Sequence, residues 1–493
     1  MLKVSDLRLK YPSGQRKIFD HLNITIQDKE KVLLLGPSGC GKSTLLNVLS
    51  GIVPNLIELP MKYDELIVDP LSGVIFQDPD SQFCMPKVYE ELAFVLENRQ
   101  VPREDMDALI INALNMVNLN VTPETYIKDL SGGMKQKLAI VETILQQSKT
   151  LFLDEPTAML DVQATEDLWT KLIDLWEDQT VVIVEHKVKH IWNHVDRVIL
   201  MDYNGNIIAD ECPEIILQKY VHLLSEYGVW HPRAWEFAPS RVDFPTTNSH
   251  LLQFKNGRII RGKSTLLSFS DLEIGLGEWI TITGANGSGK TTLLSFSDLE
   301  IGLGEWITIT GANGSGKTTL LESIMQLIKY QGDVYFENQR LTKIKHAAKH
   351  MYLVYQNPEL QFITNSVYDE INIHFNHLSK DQSDDETIQL LKLLDLQNVK
   401  DQHPYELSIG QKRRLSVATA LSSKADIIFL DEPTFGLDSH NTFQLIKLFQ
   451  KRINLGQSIV MVTHDDEIIE RYPSRRLKIS DGALLDCDGD TNV

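Results

Sequence analysis

Two stretches of this 493-residue chain read GPSGCGKST (Gly36–Thr44) and GANGSGKTT (Gly311–Thr319). Both fit the spacing Gly-x4-Gly-Lys-Ser/Thr. Glycines so spaced let successive backbone N–H groups turn inward around phosphate oxygens, and the helix that follows adds positive potential at its start. The first candidate loop is Gly36, Pro37, Ser38, Gly39, Cys40, Gly41, Lys42, Ser43 and Thr44. The second is Gly311, Ala312, Asn313, Gly314, Ser315, Gly316, Lys317, Thr318 and Thr319. Lys42 and Lys317 would reach the terminal phosphates of a nucleotide, and Ser43 and Thr318 would offer a hydroxyl to Mg²⁺. Far downstream, LFLDEP and IFLDEP are apolar runs ending in paired carboxylates. Asp154 and Asp431 would hold the metal, through water or directly. Glu155 and Glu432, one residue on, point elsewhere by strand alternation and could polarise an attacking water.

These groups need strands to place them, because ligands of open α/β sheets gather at strand C-termini. VVIVEH and IVMVTH are two further apolar runs, ending in His186 and His464. His186 lies 31 residues after Glu155 and His464 lies 32 after Glu432, a matched spacing that points to a γ-phosphate contact. Gln77 and Gln356 each follow an apolar strand and open a polar stretch, DPDSQF and NPELQF, where the amide can touch metal or water. The same five motifs recur in one order, so two homologous α/β units are expected. The reading is a first unit over 1–228, a linker over 229–248 rich in proline, aromatic and polar residues, and a second unit over 249–485.

Inside the second unit, residues 265–291 and 292–318 are identical, so a second loop copy is present at Gly284–Thr291, with Lys290 and Thr291 at its end. Spacing separates the copies. Lys42 precedes Asp154 by 112 residues; Lys317 precedes Asp431 by 114, but Lys290 by 141. After Thr318 comes TLLESIMQLIKY, an amphipathic helix pattern; after Thr291 come glycine breakers. The working loop is therefore read as the second copy. The cheapest place to extrude the surplus is the glycine turn, residues 275–301, as an exposed excursion carrying the spare loop. The alternative uses the first copy and extrudes the second.

The bulk composition narrows the function. There are 48 basic and 67 acidic residues, a formal charge of −19, which disfavours a general nucleic-acid coat. Cys40, Cys84, Cys212 and Cys487 form no CxxC pair, so disulfides and structural zinc are not expected and a reducing cytosol is. No apolar run reaches the ~18–20 residues of a membrane span, and MLKVSDLRLKYPSG lacks a signal-peptide core. If the protein works at a membrane, another chain carries the membrane part.

The ordered set, with LSGGMKQKLAIVETIL and LSIGQKRRLSVATAL between the glutamine and carboxylate motifs, resembles the ATP-binding-cassette (ABC) ATPases. QDPDSQF followed by VYEELAFVLEN further resembles the energy-coupling-factor ATPases of vitamin and metal-ion uptake. The resemblance implies tandem P-loop NTPase domains, each with a mostly parallel sheet, a small antiparallel β subdomain and a helical subdomain. It implies ATP hydrolysis with Mg²⁺, catalysed through Glu155, His186, Glu432 and His464. It also implies an intramolecular head-to-tail pseudo-dimer, in which Ser131, Gly132 and Gly133, or Ser408 and Gly410, approach the other half's nucleotide. Partners would be integral membrane subunits gripped beside Gln77 and Gln356, with or without a substrate-binding membrane subunit, and the chain would sit on the cytoplasmic face of the cell membrane.

The family pattern is broken where Ile409 replaces a glycine, where Met134 replaces a glutamine, and where Ile259 stands in place of an adenine-stacking aromatic. Half one has Tyr11 for that role, 25 residues before Gly36. Two hydrolytic sites of unequal quality are expected. Cys40 reads as a small residue facing the protein; were its thiol solvent-facing, alkylation would block that site alone. The competing functions are a soluble twin-cassette ATPase acting on ribosomes or nucleic acid, and a non-hydrolysing scaffold.

Overall fold

In a computed structural model the described residues are 1–12, 16–157, 160, 162–242, 250–261, 264–268, 271–272, 299–302, 306–310, 316–375, 378–480 and 483–487. The chain divides into two compact units, residues 1–237 with 438–440, and residues 238–437 with 441–493. The first unit thus includes 229–237, a stretch read as linker. Trp230 and Ala234 are buried there, and His231 Nε2 lies 2.9 Å from Ser225 Oγ.

In the first unit β1 (Leu2–Leu9), β2 (Phe19–Ile26), β4 (Met61–Lys62) and β5 (Glu65–Ile67) make a small antiparallel sheet. The main sheet runs β10-β9-β3-β8-β7-β6, built from β3 (Lys31–Leu35), β6 (Gly73–Ile75), β7 (Thr150–Asp154), β8 (Thr180–Val184), β9 (Arg197–Met201) and β10 (Ile207–Glu211). Only the β9–β10 pair is antiparallel. KVLLL and TVVIV are apolar on both faces because both faces are covered. Leu33 and Leu35 face a core shared with the helices Val88–Asn98, Arg103–Met116 and Gly132–Gln146. Val32 and Leu34 face a core shared with β1, β2 and the helix Lys42–Leu49.

The second unit repeats the plan. β15 (Trp306–Thr310), β18 (Met351–Val354), β19 (Ile427–Asp431), β20 (Ser458–Val462), β21 (Arg475–Ser480) and β22 (Ala483–Asp486) lie in the order β18-β19-β20-β15-β21-β22. The antiparallel sheet is centred on β11 (His250–Arg261), with β12 (Ser264–Ser268), β13 (Asp271–Leu272), β14 (Leu299–Gly302), β16 (Tyr330–Phe336) and β17 (Gln339–Leu341).

The strand after β11 is assembled from both sequence copies. Leu272 of the first copy pairs with Phe254 on β11, and so does Leu299 of the second. Glu300 and Ile301 continue the ladder opposite Gln253 and Leu252. The surplus is therefore taken out between Leu272 and Leu299. This corrects the expected window of 275–301, since Leu299, Glu300 and Ile301 are strand residues. A break inside the strand keeps the ladder register, because identical copies bring the same residue types back to the same strand positions. The expected excursion with its spare loop lies outside the described residues. The helix after Lys317 is also shorter than its pattern suggested. It ends at Ile324, Gln326 takes a left-handed φ of 61°, and Tyr330 already begins β16 opposite Ile259.

Candidate functional site

Register brings the chemistry together. In the first unit Leu34 of β3 pairs with Val184 of β8, which also pairs with Asp154 of β7. In the second, Ile309, Val462 and Asp431 form the same row. The strand ends are level, so the phosphate loop, the carboxylates and the histidine turn leave the sheet side by side.

The first loop climbs from β3 into the helix Lys42–Leu49. Gly41, at φ 105°, starts that helix in a left-handed turn, and a Cβ there would lie 2.8 Å from Ile18 Cγ2. Gly36 is equally constrained, since its Cβ would meet the Met201 carbonyl at 2.7 Å. The Lys42 ammonium is held by the carbonyls of Gly36 and Pro37, at 2.9 and 3.0 Å. Ser43 Oγ donates to Asp154 at 2.9 Å. Cys40 is 2% exposed and burial pushes its thiol pKa up, so the small-residue reading holds and the solvent-facing condition for alkylation is not met. Tyr11 is 40% exposed, and its hydroxyl lies 2.9 Å from Thr44 Oγ1.

Glu155 is where the strand breaks. Its φ is 48°, and Glu432 takes 52°. A left-handed backbone at a non-glycine residue is strained and tends to mark function. This replaces pleat alternation as the reason the carboxylate swings away from Asp154. The Glu155 N–H donates to the Val184 carbonyl at 2.8 Å. Its side chain is gripped from two sides, by Gln77 Nε2 at 2.6 Å and by His186 Nε2 at 2.8 Å. Burial works against ionisation of Glu155, but the His186 bond and charge hold its pKa below the usual carboxylate value. Burial likewise opposes the charged form of His186, and the Glu155 bond wins, raising it. Asp154 is pushed up to about 6, by burial first and by the Glu155 charge beside it.

In the second unit Gly316, at φ 99°, starts the helix Lys317–Ile324, and Thr318 Oγ1 donates to Asp431 at 2.6 Å. Thr319 lies in the first turn of that helix. Burial raises the Asp431 pKa. His464 Nε2 stands 3.5 Å from Glu432, and no hydrogen bond joins Gln356 to Glu432. Gly311, Ala312, Asn313, Gly314 and Ser315 lie outside the described residues, as do Gly284, Lys290 and Thr291.

Ser131 caps the helix Gly132–Gln146, accepting from the Met134 N–H at 3.4 Å. Ser408 does the same for Ile409–Ser422, and Gln411 closes a capping box by accepting from the Ser408 N–H. Met134 has no oxygen with which to make that return bond. Ile409 stands 54% exposed in the first turn, and Gly410 follows it. Among the described residues these groups make no hydrogen bond to the phosphate-loop cluster of their own unit.

The hydroxyl–carboxylate pairs Ser43–Asp154 and Thr318–Asp431 are hard oxygen donors. They suit Mg²⁺, which takes one or two protein ligands and draws the rest from water and phosphate.

The family model described as ABC transporter matches residues 19–158 and again 296–435. The chain belongs to the ABC transporter family. It is a twin-cassette ABC ATPase, with ATP the nucleotide that each cassette binds. A Bacillus subtilis protein, YkoD, named for ATP binding in HMP/thiamine import, is 32% identical over 98% of this chain and 90% of its own. A Streptococcus pneumoniae protein named as an ABC transporter ATP-binding protein is 31% identical, with the same coverage. Among solved structures, the RNase-L inhibitor has a TM-score of 0.64, with 21% identity over 96% of this chain and 87% of that one, a likeness of fold.

One group of the first ABC cassette was missed from sequence. Glu185 and Thr157 are buried beside the Glu155–His186 pair, with Thr157 Oγ1 donating to Glu185 at 2.7 Å. The available signal was the one difference between VEH and VTH in otherwise parallel motifs.

Proposed function

We propose that this chain is the twin ATP-hydrolysing subunit of a membrane importer of the energy-coupling type, acting peripherally at the cytoplasmic face for a vitamin, metal ion or other small solute. The observation that carries the reading is the Gln77–Glu155–His186 cluster beside Ser43–Asp154, with its counterpart Thr318–Asp431 and Glu432–His464. Similarity along nearly the whole chain to a protein named for HMP/thiamine import supports the transport side. Among the described residues no helix is long and apolar enough to cross a membrane; in this reading partner chains carry the passage of solute.

In this reading Lys42 and Lys317 neutralise the β- and γ-phosphates, and the loop N–H groups orient them. Tyr11 stacks on adenine. Ser43, Asp154 and Gln77, or Thr318, Asp431 and Gln356, would hold Mg²⁺, which when bound would supply charge stabilisation at the phosphates. Glu155 and Glu432 orient and polarise the attacking water, and His186 and His464 contact the γ-phosphate. Ser131, Gly132 and Gly133, and Ser408 and Gly410, complete the other half's site in an intramolecular pseudo-dimer. Segments after Gln77 and Gln356 dock the membrane subunits; Leu360 and Ile363, 68% and 75% exposed, offer an apolar contact. The working second loop is Gly311–Thr318, supported by the Thr318–Asp431 bond and by a family match that begins at residue 296.

Purified chain should hydrolyse ATP, Glu155→Gln and Glu432→Gln should each remove part of the turnover, and the pair should remove it all. Turnover that persists in the double variant sinks the catalytic assignment. Co-purification from membranes should bring down integral membrane subunits; recovery of ribosomes instead would favour the soluble alternative.

A further inference from the structure

Glu185 follows β8 and carries no role in the reading above. It is 4% exposed, yet both of its carboxylate oxygens are used. Oε2 accepts from Thr157 Oγ1 at 2.7 Å. Oε1 accepts from the backbone N–H of His186 at 2.8 Å and of Lys187 at 3.4 Å. Thr157 stands two residues after Glu155, and His186 reaches back to Glu155 at 2.8 Å. The bonds close a ring from Glu155 through Pro156 and Thr157 to Glu185, then His186, and back to Glu155.

The second unit lacks the ring. Thr463 replaces Glu185, and its short hydroxyl accepts only from the Asp465 N–H, at 3.2 Å. No side-chain bond joins it to Thr434, the counterpart of Thr157. There His464 stands 3.5 Å from Glu432, against 2.8 Å in the first unit.

We propose that Glu185 is a positioning residue that fixes the turn carrying Glu155 to the turn carrying His186, so that the first half's water-polarising pair is set before ATP arrives. The proposal rests on the catalytic reading of Glu155 and His186. A carboxylate that leaves the strand at φ 48° takes its direction from its side-chain partners, here Gln77 and His186, and small misplacements of a catalytic group are costly. Three donors on one buried carboxylate make a rigid brace.

The test uses the full chain with Glu432→Gln, so that turnover reports the first half. Adding Glu185→Thr, the residue of the second half, should lower kcat roughly tenfold while KM for ATP stays within about twofold. Thr157→Val, which cuts the brace from its other end, should lose as much, and it carries the test should Glu185→Thr fail to fold. His186→Ala with Glu185→Thr should be no slower than His186→Ala alone, because both act through one contact. An unchanged kcat in Glu185→Thr or Thr157→Val, or losses that multiply with His186→Ala, would overturn the proposal. Glu155→Gln in the same background serves as the control: if it still turns over, the catalytic reading has failed and not the brace.

Discussion

Among single residues, Glu142 makes the sharpest pH prediction. It is 7% exposed on the helix Gly132–Gln146 and takes a 2.6 Å bond from Gln82 Nε2. The remaining oxygens of both side chains, Glu142 Oε1 and Gln82 Oε1, are buried without a partner. A protonated Glu142 can donate to the Gln82 oxygen, as a carboxylic acid faces an amide, whereas a carboxylate cannot. Burial pushes its pKa up to about 8, helped by the charge of Glu91 on the neighbouring helix. Its folded pKa lies above the unfolded value near 4.5. The stability it lends is therefore complete below about pH 4.5 and is lost as pH rises through about 8, amounting to a few kcal/mol. Glu142→Gln can make the paired bonds at any pH. The first unit of wild type should lose Tm between pH 6 and 9, by roughly 2–4 °C per kcal/mol, while the variant stays flatter. Parallel pH curves would refute a neutral Glu142. The second half has Thr419 at this place, bonded by Gln361 at 2.8 Å, and should add no such slope. The sequence shows a glutamate in an amphipathic helix and gives no sign that its partner would be an amide 60 positions away. In contrast, the placing of Lys42 and Ser43 was legible because a fixed spacing from glycine carries them, and that of Asp154 because it ends a continuous apolar run. The left-handed turn at Glu155 was not, since nothing local requires it; it follows from closing the turn against Val184.

For the strands and helices, legibility depended on period and repetition. Continuous apolar runs named the parallel strands, and recurrence of the motifs in one order named the two units. The helix after Lys317 was read too long because LLESIMQLIKY keeps a helical period past the point where Tyr330 pairs with β11; tertiary pairing overrode local pattern. The duplication misled by only a few residues, since identical copies leave every register equivalent. That equivalence makes a clean experiment. Removing any 27 consecutive residues that start between 265 and 292 yields one and the same sequence. Leu272 and Leu299 already meet the same β11 residue, so the shortened strand needs no rearrangement. The deletion should raise the stability of the second unit by about 3 kcal/mol, the loop-closure cost of holding such ends together, and should leave ATP binding intact. In the undeleted chain, with Lys42→Ala to silence the first half, Lys317→Ala should weaken ATP binding roughly tenfold or more. Lys290→Ala should leave it within about twofold. The reverse pattern would transfer the working loop to the first copy.

At the scale of the whole molecule the two halves are unequal in opposite ways. The first has the tight Glu155–His186 pair and the second the looser Glu432–His464 pair. The first has glycine at the start of its signature helix, and the second has Ile409, a β-branched side chain standing 54% exposed in the first helical turn, where backbone N–H groups would approach a phosphate. If each signature serves the other half's nucleotide, as proposed, the braced glutamate is matched with the obstructed signature and the open signature with the looser glutamate. Ile409→Gly should then act on one half only. The substitution keeps the Ser408–Gln411 capping box and costs the helix about 1 kcal/mol or less at an exposed first-turn position. In a Glu432→Gln chain, where turnover reports Glu155, it should raise kcat several-fold, because a γ-phosphate oxygen gains access to the helix start. In a Glu155→Gln chain it should change nothing beyond about twofold. A rise confined to the Glu155→Gln chain would mean that each signature serves its own half, and the head-to-tail pairing inferred from the family would have to be abandoned.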